Sequence, residues 1–340
     1  MDKTPVGYPG LTLRPAQSHD TPHIYDLLQA LAAADGSIST VSLQDIGILF
    51  NDPWSDPQAD SLLALTSDGK IAGLAWVLLN PAYAQQTTNL TYDFLSTSNV
   101  HVEIWCNVHP ASQENDPGLG AYLLQWADKR GATRLYDVPH SNLPRFLLTN
   151  CWEDQVDKII MLEGHGYRPV RYFARMSRDL GQPVPEEPLL AGLRLCTYSP
   201  ELSEPLREAY NEAFKNDWNY QYASPQDWQR IYISRSDFFP ELTFLAMDRD
   251  RIAGFSLNHV HQTPDGKREG FITYIGTLPE WRKRGVASGL LCASLHAFQS
   301  QGLAYAALGV DTDNPNEAFG LYARLGFVIN RRLVQYARSV

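Results

Sequence analysis

Cysteine is scarce in this chain: four in 340 residues, Cys106, Cys151, Cys196 and Cys292, with no CxxC pair among them. That spacing excludes a structural zinc ribbon and a secreted disulfide framework, and it leaves the four as small buried side chains. Basic charge is short as well, with 28 Lys and Arg against 38 Asp and Glu and a formal net charge of −10. An acidic chain is a poor general partner for nucleic acid or an anionic membrane, because both call for a basic surface. No apolar run approaches the roughly 18 residues of a membrane span. The opening MDKTPVGYPG has neither the basic n-region nor the apolar h-region of a secretory leader. A cytoplasmic protein without nucleic-acid or membrane partners is therefore expected.

What is present is core-forming material. Charged residues are 19% and apolar ones 44%, with 17 Tyr, 13 Phe and 8 Trp, so extensive disorder is excluded. The length suits two domains of about 150–170 residues. A weak internal repeat supports that count. Gly10-Leu-Thr-Leu-Arg returns as Gly192-Leu-Arg-Leu-Cys, Lys70-Ile-Ala-Gly as Arg251-Ile-Ala-Gly, and Gly166-Tyr167 as Gly326-Phe327. The period, about 180 residues, is that of a duplicated domain; solenoid units repeat every ~20–50 residues. Between the copies, DLGQPVPEEPLLAG carries three prolines, which lack a backbone donor and resist regular structure. The reading is residues 1–179 as one domain, 180–191 as linker and 192–340 as the second domain.

The second half has a readable element order. Leu193–Thr197 alternates as a strand, while Ser203–Phe214 and Pro225–Ile233 carry helical spacing. Leu242–Met247 and Ile252–Val260 are strands joined by a polar turn, and Phe271–Leu278 is a strand stopped by Pro279. Val286–Gln299 is a helix, Ala304–Val310 a strand, Asn316–Leu325 a helix ended by Gly326, and Val328–Ala337 a last strand. Consecutive strands followed by strand–helix alternation describe a mixed sheet with helices packed on it.

The chemistry concentrates at Pro279-Glu-Trp-Arg-Lys-Arg-Gly-Val-Ala-Ser. A strand ends, three cations and a glycine follow, and an amphipathic helix opens. Helix N-termini expose unpaired N–H groups and partial positive charge, which suits a phosphate. Arg282, Lys283 and Arg284 add charge, Gly285 permits close approach of the main chain, and Val286, Ala287 and Ser288 begin the helix. A solvated basic turn before a surface helix is the plain alternative. A second motif follows one helix and one strand later. In Val310-Asp-Thr-Asp-Asn-Pro-Asn-Glu-Ala-Phe-Gly-Leu-Tyr-Ala-Arg-Leu-Gly-Phe, Asn314 stands where a strand gives way to a helix, and Ala318 and Tyr322 share a helical face.

Together these segments resemble the GNAT acyltransferase superfamily. Arg282-x-x-Gly285-x-Ala287 is similar to its pyrophosphate loop, (Q/R)xxGx(G/A), and Asn314 to Phe327 is similar to its NPxxAxxLYxxxGF segment. The resemblance covers the chain from about Gly192 onward. It implies an α/β (α+β) chain of two tandem GNAT folds, each a mixed, mostly antiparallel, splayed sheet flanked by helices. It also implies acetyl-CoA as co-substrate, bound by Ile275, Gly276 and Thr277 on the splayed strand, by Arg282 to Ser288 and by Asn314. Tyr322 would protonate the leaving thiolate, and the N–H groups near Ile275 and Gly276 would face the oxyanion.

The base is open between Glu269, on the approach to that strand, His259, and deprotonation relayed by water. His259 shares a strand face with His261, yet no third ligand accompanies them, so no metal is expected. Asp217, Trp218, Tyr220 and Tyr222, in the connection between the first two helices, would meet a cationic amine by charge and ring face. Packing against the other half is the alternative for those aromatics.

The first half keeps Gly118 and Gly120 in the matching loop but has no Lys or Arg between His101 and Asp128, and Leu162 stands where Tyr322 would be. A diphosphate would meet Glu114 and Asp116 there. The expectation is a degenerate first domain and an N-acetyltransferase acting on a small-molecule primary amine in the second, as monomer or homodimer. A non-catalytic acyl-CoA-binding regulatory module and an acetyltransferase for an aminothiol are the alternatives.

Overall fold

The computed structural model describes all residues except 1–6, 36–40, 53–54, 81–98, 139–142, 218–219, 221, 236, 264–265 and 314–317. Asn314 and Trp218 therefore lie outside the described residues. The chain forms two compact units, one of Met1–Val170 with Val334–Val340 and one of Arg171–Leu333.

The first unit runs β1 (Thr12–Arg14), α1 (Thr21–Ala34), α2 (Leu43–Leu49), α3 (Pro57–Asp60), β2 (Ser61–Leu65), β3 (Ile71–Asn80), β4 (Val100–Val108), α4 (Pro110–Asn115), α5 (Gly118–Tyr136), β5 (Arg145–Trp152) and α6 (Val156–Gly164). Its strands follow the order β1-β2-β3-β4-β5, antiparallel except for the parallel β4–β5 pair. One face of β3–β5 packs on α5 through Ala75, Val77, Val102, Ile104, Leu119, Leu123 and Leu147; Val334 and Tyr336 complete that core.

The second unit contains β6 (Arg168–Asp179) from Arg171 on, β7 (Arg194–Thr197), α7 (Ser203–Phe214), α8 (Pro225–Asp227), β8 (Phe244–Asp248), β9 (Arg251–Gln262), β10 (Arg268–Thr277), α9 (Val286–Ser300), β11 (Tyr305–Asp311), α10 (Ala318–Arg324) and the start of β12 (Val328–Ser339). Strand order is β6-β11-β10-β9-β8-β7, again antiparallel except for one parallel pair, β10–β11.

The expected domain limits at 179 and 192 differ from these units. Phe173–Asp179 pairs antiparallel along Asp311–Tyr305, so the end of β6 belongs to the second unit's sheet. Val334 and Tyr336 bury with the first core, so the chain's last residues belong to the first unit. Hydrogen-bond ladders follow space, and a linear reading of the repeat carries no trace of this exchange.

In the second unit, period-2 alternation sends Leu245, Phe255 and Leu257 toward α7, and Phe244, Ala246 and Ala253 toward α9. Helical spacing brings Leu206, Ala209, Tyr210 and Ala213 of α7, and Leu290, Leu291, Leu295 and Phe298 of α9, against those two faces. Each fully buried Leu or Phe contributes about 1.5–3 kcal/mol. The repeat is conformational as well as sequential. Gly166 and Gly326 both have φ +84°, in the left-handed region that ends a helix without a Cβ clash. The residues after them, Tyr167 and Phe327, are buried in the two cores.

Candidate active site

The site grows from a fork in the second unit's sheet. The parallel β10–β11 ladder runs from Glu269↔Tyr305 to Ile272↔Leu308 and stops. Beyond it β10 stays paired only with β9, through Tyr274↔Leu257, Ile275↔Ser256, Gly276↔Phe255 and Thr277↔Gly254, while β11 stays with β6. Thr273 is the extra residue of a β-bulge at the fork. Bulges bend and twist a strand, which is how one strand of a parallel pair parts from the other. Ile275, Gly276 and Thr277 thus lie on the parted segment. The Thr277 hydroxyl is buried with no hydrogen-bond partner among the described residues. Gly276 is required locally, because a Cβ there would strike the Phe255 ring.

At the end of that segment the chain turns through Pro279–Trp281 into Arg282–Gly285 and then α9. Lys283 and Gly285 are both left-handed, φ +57° and +80°. Such turns gather successive N–H groups into an anion-binding concavity. Gly285 is the N-cap of α9 and supplies no side-chain cap, so the first-turn amides of Val286, Ala287 and Ser288 point out of the helix end. The cations divide their work. Arg282 bonds the Thr277 carbonyl (3.1 Å) and the Ala213 carbonyl (2.8 Å), tying the loop to β10 and α7. Lys283 and Arg284 are exposed. Val286 and Ser288 are buried, Val286 packing under Gly254, so they face the loop with backbone only.

Tyr322 is 5% exposed, and burial followed by the Asp217 charge holds its phenol well above the ordinary tyrosine range. It keeps its proton at neutral pH. Asp217, in the turn after α7, is pushed up to about 6 by burial; Arg282 opposes that, Asp311 adds to it and Arg171 opposes it. Those five groups are therefore near neighbours electrostatically. Arg171 holds Asp311 in a bidentate pair at 2.7–3.0 Å, so of the two carboxylates Asp217 is the one left for an incoming cation.

The other expected side chains are committed within the chain. Tyr220 donates to the Asn211 side chain (2.8 Å), and Arg207 both donates to the Tyr222 hydroxyl (3.0 Å) and covers its ring. These contacts fasten the loop to α7. Glu269 is buried and paired with Arg175 at 2.5 Å; burial pushes its carboxyl up while Arg175 pulls it down. His259 is also buried, with Nδ1 2.5 Å from the Thr273 hydroxyl. Thr273, Asp237, Arg175 and Arg171 went unread in the sequence. Only the period-2 break at Thr273-Tyr274, where two neighbours share a face, could have signalled the bulge. Among the described residues no group of three or more His, Cys, Asp or Glu gathers as a metal site, and no helix is long and apolar enough to cross a membrane.

The first unit repeats the fork with different contents. Its β4–β5 ladder stops at Glu103↔Leu148, and the buried Thr149 hydroxyl donates to the Ile104 carbonyl just beyond (2.9 Å). In its loop Pro110–Asn115 forms α4, and Asp116 accepts the Gly118 amide and the Tyr8 hydroxyl. Leu162 is fully buried in the core.

Residues 203–327 match the family described as Acetyltransferase (GNAT) family. Mycothiol acetyltransferase of Thermobispora bispora is 32% identical over 226 residues, 65% of this chain and 70% of that protein. Mycothiol acetyltransferase of Salinispora tropica is 28% identical over 317 residues, 91% of each. Among solved structures, a GCN5-related N-acetyltransferase from Sphaerobacter thermophilus has a TM-score of 0.72 at 26% identity, covering 98% of this chain and 96% of that one.

Proposed function

Because the chain belongs to the GNAT family, whose members are acetyl-CoA-dependent acetyltransferases, we propose that its second unit transfers acetyl from acetyl-CoA to a primary amine of a small molecule. One observation carries the reading: an uncapped helix start with two exposed cations lies at the end of a strand that has parted from its neighbour. A diphosphate at the Gly285–Ser288 amides would complete the donors left open there. The pantetheine arm would follow the parted edge past Thr277, whose orphaned hydroxyl fits such a partner.

Three needs of the reaction then find residues. N–H groups of the parted segment near Ile275 and Gly276 stabilise the oxyanion as fixed dipoles that require no reorganisation. Tyr322, kept protonated by its surroundings, gives its proton to the departing sulfur. Asp217 attracts the acceptor as a cation and holds it near the fork. An aminothiol, the kind of acceptor the relatives' name points to, is one arm of the test panel rather than the assignment.

The test is release of free CoA thiol by the full chain with a panel of small amines, aminothiols and peptide N-termini. Turnover with a small amine is expected. CoA binding without release from any acceptor would favour a regulatory acyl-CoA-binding module, and turnover confined to peptides would remove the small-molecule assignment.

A further inference from the structure

We propose that Thr273, His259 and Asp237 form the route by which the acceptor nitrogen loses its proton, an inference that rests on the transfer reading above. Three features of the structure converge on it. The first is position. The bulge gives Thr273 no partner on β9, because the register passes from Asn258↔Ile272 to Leu257↔Tyr274. The β10–β11 ladder has ended one residue earlier. Thr273 is therefore the side chain at the apex of the fork, half-buried, on the sheet face turned away from α9.

The second is polarity. The Thr273 oxygen lies 2.5 Å from His259 Nδ1. A hydroxyl can donate its one proton and still accept through its lone pairs. If Nδ1 accepts from Thr273, the imidazole proton sits on Nε2, and that nitrogen lies 4.0 Å from Asp237 Oδ1. Asp237 is itself fixed by Arg235 at 2.8 and 2.7 Å, and its second oxygen lies 3.9 Å from His261 Nδ1. A carboxylate behind a histidine stabilises the imidazolium and selects its tautomer. At 4.0 Å that stabilisation is charge–charge attraction rather than a direct hydrogen bond.

The third is elimination of the neighbouring carboxylate. Glu269 shares this face, across from His261, but Arg175 pairs with it at 2.5 Å and also lies over the Phe271 ring. Removing Arg175's partner by protonation would leave a half-buried guanidinium uncompensated.

The acceptor, bound as an ammonium, first gives one proton to water. As the neutral nitrogen then forms its bond to the acetyl carbon, a second proton passes from it to the Thr273 oxygen while Thr273's own proton passes to His259 Nδ1. The carbon–sulfur bond then breaks with its electron pair on sulfur, and Tyr322 protonates the thiolate. Water later restores Tyr322 and takes the proton from His259. Thr273 touches the reacting nitrogen and is catalytic; Asp237 acts through His259 and is a positioning residue.

The test uses the full chain and its Thr273→Val, Thr273→Ser, His259→Gln and Asp237→Asn variants. Thr273→Val preserves shape and is expected to lower kcat by at least about 10²-fold, within the usual contribution of general acid–base groups. KM for acetyl-CoA should stay within about two-fold, and Thr273→Ser should restore most of kcat. Nitrogen NMR of the labelled imidazoles reads the network without turnover. His259 should carry its proton on Nε2 in the wild type and lose that preference in Thr273→Val and in Asp237→Asn. Full kcat in Thr273→Val, or an unchanged His259 signal in both variants, would overturn the relay. So would an acetyl group found covalently on Thr273, which would make it the nucleophile. A wild type with the expected imidazole signal but no thiol release from any amine would overturn the transfer reading, and the proton route with it.

Discussion

Asp116 Oδ1 accepts the Gly118 amide at 3.1 Å, so the first unit's loop caps its own helix with a carboxylate. Tyr8 locks that carboxylate from the other side at 2.9 Å. In the second unit the corresponding helix starts at Gly285 with no side-chain cap. A helix N-terminus satisfied by its own anion has no attraction left for a diphosphate, and Asp116 would also repel one. We predict that the full chain binds one CoA, read as the stoichiometry of a calorimetric titration. Lys283→Glu with Arg284→Glu should weaken binding by about 10²–10⁴-fold, since each of the two charge-assisted contacts is worth about 1.5–3 kcal/mol. Both side chains are exposed, so melting should stay unchanged. Arg282 is the wrong residue for this experiment, because its bonds to Thr277 and Ala213 make its loss a structural lesion. Two molecules of CoA per chain would contradict the prediction.

Tyr322→Phe isolates the phenol from the ring. The ring packs in the core with Leu325 and Phe327, and phenylalanine keeps that packing, so folding should be preserved. Burial and the Asp217 charge hold the wild-type phenol protonated across the working pH range, so only the donor is lost. We expect kcat to fall by about 10²–10⁴-fold with CoA affinity within about two-fold of wild type. A full-rate variant would take Tyr322 out of the acid role.

Local patterns are legible in the sequence, and pairings between distant residues are not. The helix Ser203–Phe214 was read to the residue, because helical spacing of Leu206, Ala209, Tyr210 and Ala213 is a local pattern. The α9 start was equally legible, since Gly285 and the cations before it are contiguous. The exchange of strand ends between the compact units was not, because which strand β6 lies against is decided by pairing partners more than a hundred residues away. The site divides in the same manner. Tyr322 and the loop come from motifs, whereas Thr273 gains its place from a one-residue bulge that composition does not encode. Glu269 was a reasonable candidate base from its place before the strand. Its pairing with Arg175 across two strands is a tertiary fact.

Gly276→Ala tests whether the parted segment is held rigidly. A Cβ at this position would strike the Phe255 ring, which is itself fully buried between α7 and the sheet. Overpacking a dense core forces shifts that cost about 1–3 kcal/mol, and here the shift falls on the strand whose amides are to face the oxyanion. We expect a lower melting temperature together with a loss of kcat exceeding the loss of folded protein. Gly276→Ala with Phe255→Leu, which makes room for the methyl, should recover stability first. If the single variant is both stable and fully active, the segment is more pliable than the proposed oxyanion site allows.

Asp217→Asn separates stability from activity through the sign of one shift. The carboxyl titrates near 6 in the folded chain against 3.8 in the unfolded one, with burial the leading cause. The folded state thus holds the proton more tightly, and by linkage its stability falls as pH rises from about 4 to about 6, the full penalty being present above that. Asparagine, which cannot ionise, removes the penalty. Asp217→Asn should therefore be more stable than wild type at pH 7, on the order of 1–3 kcal/mol for a shift of this size, and no more stable below pH 4. Denaturant melts at pH 4 and pH 7 would read that difference. Activity should move the opposite way: with no anion to meet the amine, KM for the acceptor should rise by about tenfold or more while KM for acetyl-CoA stays put. The wild type should show the same rise in acceptor KM as pH drops through 6, and the variant should show none. An acceptor KM independent of both the substitution and the pH would mean that this carboxylate, buried at a stability cost beside Tyr322, does not hold the amine.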